Sequence, residues 1–107
     1  MKQFFSHLAI TLATLCLFVS MAEASTVKGK IFYAKNLKQP CGYTGEIMGK
    51  KHTTNEWRVL FNDNKLSSVV KTLCPKSELI TEEKDLTNLY HFLSSFASDS
   101  GNVPSCN

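Results

Sequence analysis

The segment Thr81 to Ala97, TEEKDLTNLYHFLSSFA, constrains the fold most, because its pattern suits one kind of secondary structure only. Leu86, Leu89, Tyr90, Leu93, Phe96 and Ala97 recur at the spacing of one face of an α-helix, leaving Lys84, Asp85, Asn88, His91 and Ser95 mostly outside. Thr81 is placed to cap the first turn, and Glu82 and Glu83 put negative charge at the positive end of the helix dipole. Gly101 and Pro104 follow the last apolar position and mark the stop. An amphipathic helix needs a surface on which to bury its apolar face, and the rest of the chain must supply it.

Two more helices are marked on the N-terminal side. Thr53-x-x-Glu56 is a capping box, and Trp57, Leu60 and Phe61 repeat at helical spacing behind it, which predicts a helix from Thr54 to about Phe61. Asn62-Asp63-Asn64 breaks that helix. Leu66, Val69, Val70 and Leu73 then predict another, stopped by Pro75. Thr26 to Leu37 fits two patterns. Val27, Gly29, Ile31 and Tyr33 alternate as in a short strand, whereas Ile31, Ala34 and Leu37, with Phe32 and Tyr33 beside them, suit about three turns of helix. Gln39 to Gly49, with Pro40, Gly42, Gly45 and Gly49, is expected as a loop.

The chain has 107 residues, room for one domain, and its first part reads as an export signal rather than fold. Lys2 supplies the charged start, Leu8 to Val19 the apolar run, and Ala22-Glu23-Ala24 a cleavage site before Ser25. Leu15 before Cys16 argues against a lipoprotein signal, and the apolar run is shorter than a membrane span of ~20 residues. The expectation is residues 1–24 as leader and 25–107 as a periplasmic or secreted domain with no membrane span after cleavage. Cleavage would leave Cys41, Cys74 and Cys106, an odd number for an oxidising compartment. The net charge of +3 is unevenly spread, with lysines 28, 30, 35, 38, 50 and 51 in the front half and Glu78, Glu82, Glu83, Asp85 and Asp99 in the back. Nothing suggests nucleic-acid binding, since there is no arginine cluster and no basic helix with interleaved aromatics.

Taken in order, these segments resemble a small bacterial class I cytochrome c domain from which the haem-attachment motif is missing. Gly29-Lys30-Ile31-Phe32 followed by Cys41 resembles the opening helix that leads to the haem cysteines, which favours helix over strand for Thr26 to Leu37. His52-Thr53-x-x-Glu56-Trp57-x-x-Leu60 resembles the middle helix. Cys74-Pro75, then Leu79 to Phe96, resembles the Met-Pro of the axial methionine and the terminal helix. The resemblance implies an all-α, cytochrome-c-like domain of three to four helices, stapled by a disulfide. The departure lies at the haem site, where Cys41-Gly42-Tyr43-Thr44-Gly45 stands in place of Cys-x-x-Cys-His. Covalent haem is therefore not expected. The family topology would put Cys41 and Cys74 on the two sides of the haem site, so the resemblance implies that a disulfide between them replaces the cofactor's cross-link, worth ~3 to 4 kcal/mol. Spacing alone leaves Cys41 to Cys106 and Cys74 to Cys106 open.

Other chemistry finds little support in the residues. Met48, His52 and Cys74 are the ligand candidates for a non-covalent haem or a metal, but no pair has zinc-site spacing. Cys41 has Lys38, Lys50 and Lys51 near it, yet no Cys-x-x-Cys and no recognisable Cys, His and Asn or Asp set, so no catalytic residue is assigned. Trp57 and Phe61 are expected in the core, and Glu82, Glu83 and Asp85 are expected as a helix start. The resulting expectation is a binding or accessory module for a redox or envelope protein, with Lys35, Lys38, Lys50 and Lys51 as the contact face. A periplasmic electron carrier that holds haem non-covalently or through a single cysteine, using His52 with Met48 or Cys74, and a disulfide-stapled inhibitor or immunity-type protein, are the alternatives.

Overall fold

The computed structural model describes residues 24–102. All but the last residue of the expected leader, and Cys106, lie outside the described residues. Among the described residues there is no strand, and six helical segments follow one another. They are α1 (residues 24–36), α2 (Lys38–Cys41), α3 (Gly45–Gly49), α4 (Thr54–Asn62), α5 (Leu66–Leu73) and α6 (Glu83–Ser95).

Helix α6 is the centre of the fold, packing against α3, α4 and α5, with Gly29 of α1 on its remaining side. Leu89 and Leu93 are buried as the periodicity predicts. Phe92, outside the expected apolar stripe, is buried too, at 1 % exposure. A helix covered on several sides needs a second apolar face. Phe92 provides it, with Tyr33 of α1 at 6.2 Å between ring centroids and Gly45 of α3 beneath its ring edge. The start of α6 also differs from expectation: Glu82 is the N-cap residue, without a side-chain capping bond, and Thr81 lies one residue further out, exposed.

Helix α1 resolves the strand-or-helix ambiguity, and it turns a different face inward from the one expected. Gly29, Tyr33 and Leu37, each four residues apart, form the buried stripe, while Ile31 and Ala34 point to solvent. Gly29 sets the approach of α1 to α6. A Cβ there would lie 2.1 Å from the Asn88 carbonyl oxygen and 2.7 Å from Phe92 Cβ. Gly29→Ala would gain at most ~1 kcal/mol of helix propensity. Against this, prising two backbones apart costs ~1 to 3 kcal/mol or more. The expected outcome is net destabilisation, read as a lower denaturant midpoint.

The stretch Gln39 to Gly49 corrects the expected loop. It is mostly helical, which raises the count from three or four helices to six segments. Pro40 lies in the first turn of α2, where its missing N–H leaves no bond unmade, and Gly42 ends that turn in the left-handed region at φ 81°. Gly45 and Gly49 are packing glycines within α3. Added Cβ atoms would lie 2.2 Å from Phe92 Cε2 and 2.6 Å from the Leu93 carbonyl oxygen. Both glycines mark where α3 touches α6, a requirement that looks like loop composition in a sequence.

Helix α4 begins with both halves of the capping box: the Glu56 N–H donates to Thr53 Oγ1 at 3.1 Å, and the Thr53 N–H to Glu56 Oε1 at 2.8 Å. Its buried residue is Trp57, whose Nε1 donates to the Gly49 carbonyl oxygen at 2.8 Å. Phe61 stacks on Tyr90 of α6 at 4.5 Å and stays partly exposed. Asn64, at φ 58°, makes the turn into α5, which buries Leu66 and Val70 and ends at Cys74 before Pro75. Beyond α6 the chain folds back. The Ser98 N–H reaches the His52 carbonyl oxygen, and Asp99 Oδ1 accepts from both the N–H and the hydroxyl of Thr54.

Candidate functional site: the disulfide corner

Cys41 ends α2 and Cys74 follows α5. The two form a disulfide with their Cα atoms 5.0 Å apart. This settles the connectivity left open by spacing, in favour of the pairing that the resemblance implies. Cys74 is fully buried and Cys41 partly so.

Two tyrosines hold the corner. Tyr33 reaches from α1 to donate its phenol hydrogen to the Tyr43 carbonyl oxygen at 2.8 Å. Tyr43 in turn donates to the Leu73 carbonyl oxygen at 3.3 Å, next to Cys74. Burial pushes the Tyr33 phenol well above the ordinary tyrosine range, with Tyr43 and Glu46 adding to the shift, and burial raises the Tyr43 phenol as well. Both therefore remain protonated donors through neutral pH. The segments 33–43 and 73–74 are joined by the disulfide and by the Tyr43 bond to Leu73, while the Tyr33 bond closes the first segment on itself.

The lysines of the expected contact face are all exposed, but they do not form one cluster. Lys51 Nζ sits 5.2 Å from the centre of the Tyr43 ring, and Lys38 lines an open cleft of about 450 Å³ with Ala34, Gly42, Tyr43 and Thr44. Lys35 instead faces a second open cleft of about 440 Å³, with Phe32, Leu79, Glu82 and Asp85. Lys50 follows the end of α3. Tyr43, which joins Lys38 to Lys51, has no role in the expectations. An aromatic inside Cys-Gly-Tyr-Thr-Gly, where every neighbour is small or turn-forming, was its signal.

The three ligand candidates are placed as follows. Met48 is fully buried in the core. The sulfur of Cys74 is bonded to Cys41. His52 lies before α4, with Nδ1 3.7 Å from Glu56 Oε1, its ring edge-on to Trp57 at 4.9 Å, and a partly exposed side chain. Among the described residues, no three His, Cys, Asp or Glu side chains gather as they would around a metal ion. The donor set does not fit a covalently held haem, because Cys41 has no thiol left for a thioether link and Gly42 and Tyr43 follow it.

Charge also acts on stability at the start of α4. Glu56 is held below its ordinary range first by the Thr53 N–H, then by the Thr53 hydroxyl, with His52 also contributing. Asp99 is lowered in the same way by the Thr54 N–H and hydroxyl. Both groups bind protons less readily folded than unfolded. Their contribution is complete above the ordinary carboxylate range and is lost as pH falls through the depressed values. The melting temperature is therefore expected to drop progressively below about pH 4 to 5. A Glu56→Gln, Asp99→Asn variant is expected to show a flatter acid limb in thermal melts followed by circular dichroism.

Comparison with known proteins finds no family model, no curated protein and no solved structure that matches the chain.

Proposed function

We propose that the chain is an exported, cytochrome-c-like helical module without covalent haem, acting as a binding or accessory protein rather than as an enzyme. The observation that carries this reading is the Cys41–Cys74 bond. It joins the segment after the opening helix to the segment before the terminal helix, the two places where the family presents its haem cysteines and its axial methionine. The order of helices supports the same reading, with α1 leading to Cys41, the capped α4 in the middle and Cys74-Pro75 ahead of α6. A binding role is supported by the titratable groups whose partners are known. Glu56 and Asp99 cap or tether α4, and the phenols of Tyr33 and Tyr43 bond to carbonyls, which leaves these groups structural duties. Of the exposed lysines 35, 38, 50 and 51, Lys38 and Lys51 beside Tyr43 form the centre of the proposed contact face, with Lys35 on the separate cleft, and an acidic envelope or redox protein is the proposed partner.

The test is to export the protein in cells with active c-type cytochrome maturation and record its absorption spectrum before and after adding haemin. The expected protein is colourless and shows no saturable Soret band with haemin. A Soret band that co-purifies, or that titrates to one equivalent, would replace this reading with that of an electron carrier.

A further inference from the structure

The side of α1 opposite its buried stripe is apolar. Gly29, Tyr33 and Leu37 face the core, whereas Val27 and Ile31 are 55 % and 49 % exposed and Ala34 is exposed beside them. At 100° per residue, Val27, Ile31 and Ala34 fall within a narrow outward sector. Lys28 and Lys35 lie along one edge of that sector and Lys30 along the other, where Lys38 of α2 joins it by sharing a cleft with Ala34 and Lys30. Residues 24–41 contain no Asp or Glu. None of these four lysines forms an ion pair within 4.0 Å among the described residues. The carboxylates of Glu46, Glu78, Glu82 and Asp85 line the clefts at the helix's flanks.

We infer that this face of α1 docks on an anionic lipid bilayer, lying in the plane of the surface with Val27, Ile31 and Ala34 turned to the acyl boundary and the four lysines among the headgroups. An apolar strip with lysines along both edges is the pattern of a helix that lies at an interface. Lysine's flexible stem lets the ammonium reach headgroups while its methylenes cover the strip. The composition favours lipid over protein, because the outward strip of α1, unlike the neighbouring cleft at Tyr43, has no aromatic and no arginine to anchor a protein interface and is rich in lysine, which such interfaces avoid. A second copy docked through the same face would set lysines against lysines. The inference goes beyond the proposed function: it assigns a lipid contact to the outward strip of α1, which shares Ala34, Lys35 and Lys38 with the surface proposed there, and it does not depend on the haem question.

The test is flotation of the protein, as purified from exporting cells and with its N-terminus read by mass, with phosphatidylglycerol–phosphatidylethanolamine vesicles and separately with phosphatidylcholine vesicles. The expected result is binding to the anionic vesicles alone, weakening as salt is raised. Lys28→Gln with Lys35→Gln is expected to lower the partition coefficient about 30-fold, on roughly five-fold per lysine. Val27→Ser with Ile31→Ser is expected to lower it about tenfold or more while leaving the melting temperature unchanged, since both side chains are exposed. Absence of binding to anionic vesicles would overturn the inference. So would equal binding to neutral vesicles that the substitutions leave intact, the behaviour of a retained leader. Retention by an acidic protein through the same lysines, with no lipid binding, would assign the face to a protein partner and overturn it too.

Discussion

Reducing the Cys41–Cys74 bond is expected to lower the melting temperature by roughly 15 to 30 °C. The bond spans a sequence separation of 33 residues. In the chain-entropy description, opening a loop of that length returns ~4 kcal/mol to the unfolded state. In a domain of this size each kcal/mol moves the midpoint by about 4 to 8 °C. The loop contains α3, α4 and α5, so the bond constrains most of the surface on which α6 packs. Thermal melts with and without a reductant measure the effect. Cys41→Ala with Cys74→Ala is expected to match the reduced protein, and Cys106→Ser to leave the midpoint where it was.

Trp57→Ala is expected to cost ~3 to 5 kcal/mol, the range for deleting a fully buried large aromatic. Trp57 has no exposed surface. Its ring packs edge-on with His52, and its Nε1 bonds the Gly49 carbonyl oxygen. The substitution therefore opens a cavity and also strands a buried acceptor. Trp57→Phe separates the two effects. It keeps most of the volume, abandons the hydrogen bond, and is expected to cost ~1 to 3 kcal/mol. One modest core in a domain this small supplies only ~3 to 5 kcal/mol, so Trp57→Ala under reducing conditions is expected to be largely unfolded. Urea titrations followed by circular dichroism on the three proteins, oxidised and reduced, check the order.

Helices α4, α5 and α6 were legible in the sequence because each carries its own signal: a capping box, a four-residue apolar stripe before Pro75, and a long periodic run. What was not legible depends on neighbours. Gly45 and Gly49 read as loop residues, but the fold uses them to seat α3 against Phe92 and Leu93. Phe92 falls outside a one-faced template because α6 is packed on more than one side. In α1 the helix was legible and its orientation was not, since a small residue, Gly29, outranks Ile31 as the contact when two backbones approach closely.

The candidate site divides the same way. Both members of the disulfide were candidates by residue type, but their pairing depends on where α2 and α5 end in space. The exposed lysines were legible as charge. Tyr43, which brings Lys38 and Lys51 to one place, was not, because its position depends on a hydrogen bond to a carbonyl 30 residues away.

On the proposed reading, the Cys41–Cys74 bond closes the place where a cytochrome-c-like domain would hold its haem. The measurement that tests it most directly is the mass of the exported protein alkylated without reduction, followed by a peptide map. The expected mass is that of Ser25 to Asn107 less two hydrogens plus one alkyl group, with Cys41 and Cys74 in one linked peptide pair and the alkyl group on Cys106. An added porphyrin mass, alkyl groups on Cys41 or Cys74, or a link from either of them to Cys106 would contradict it.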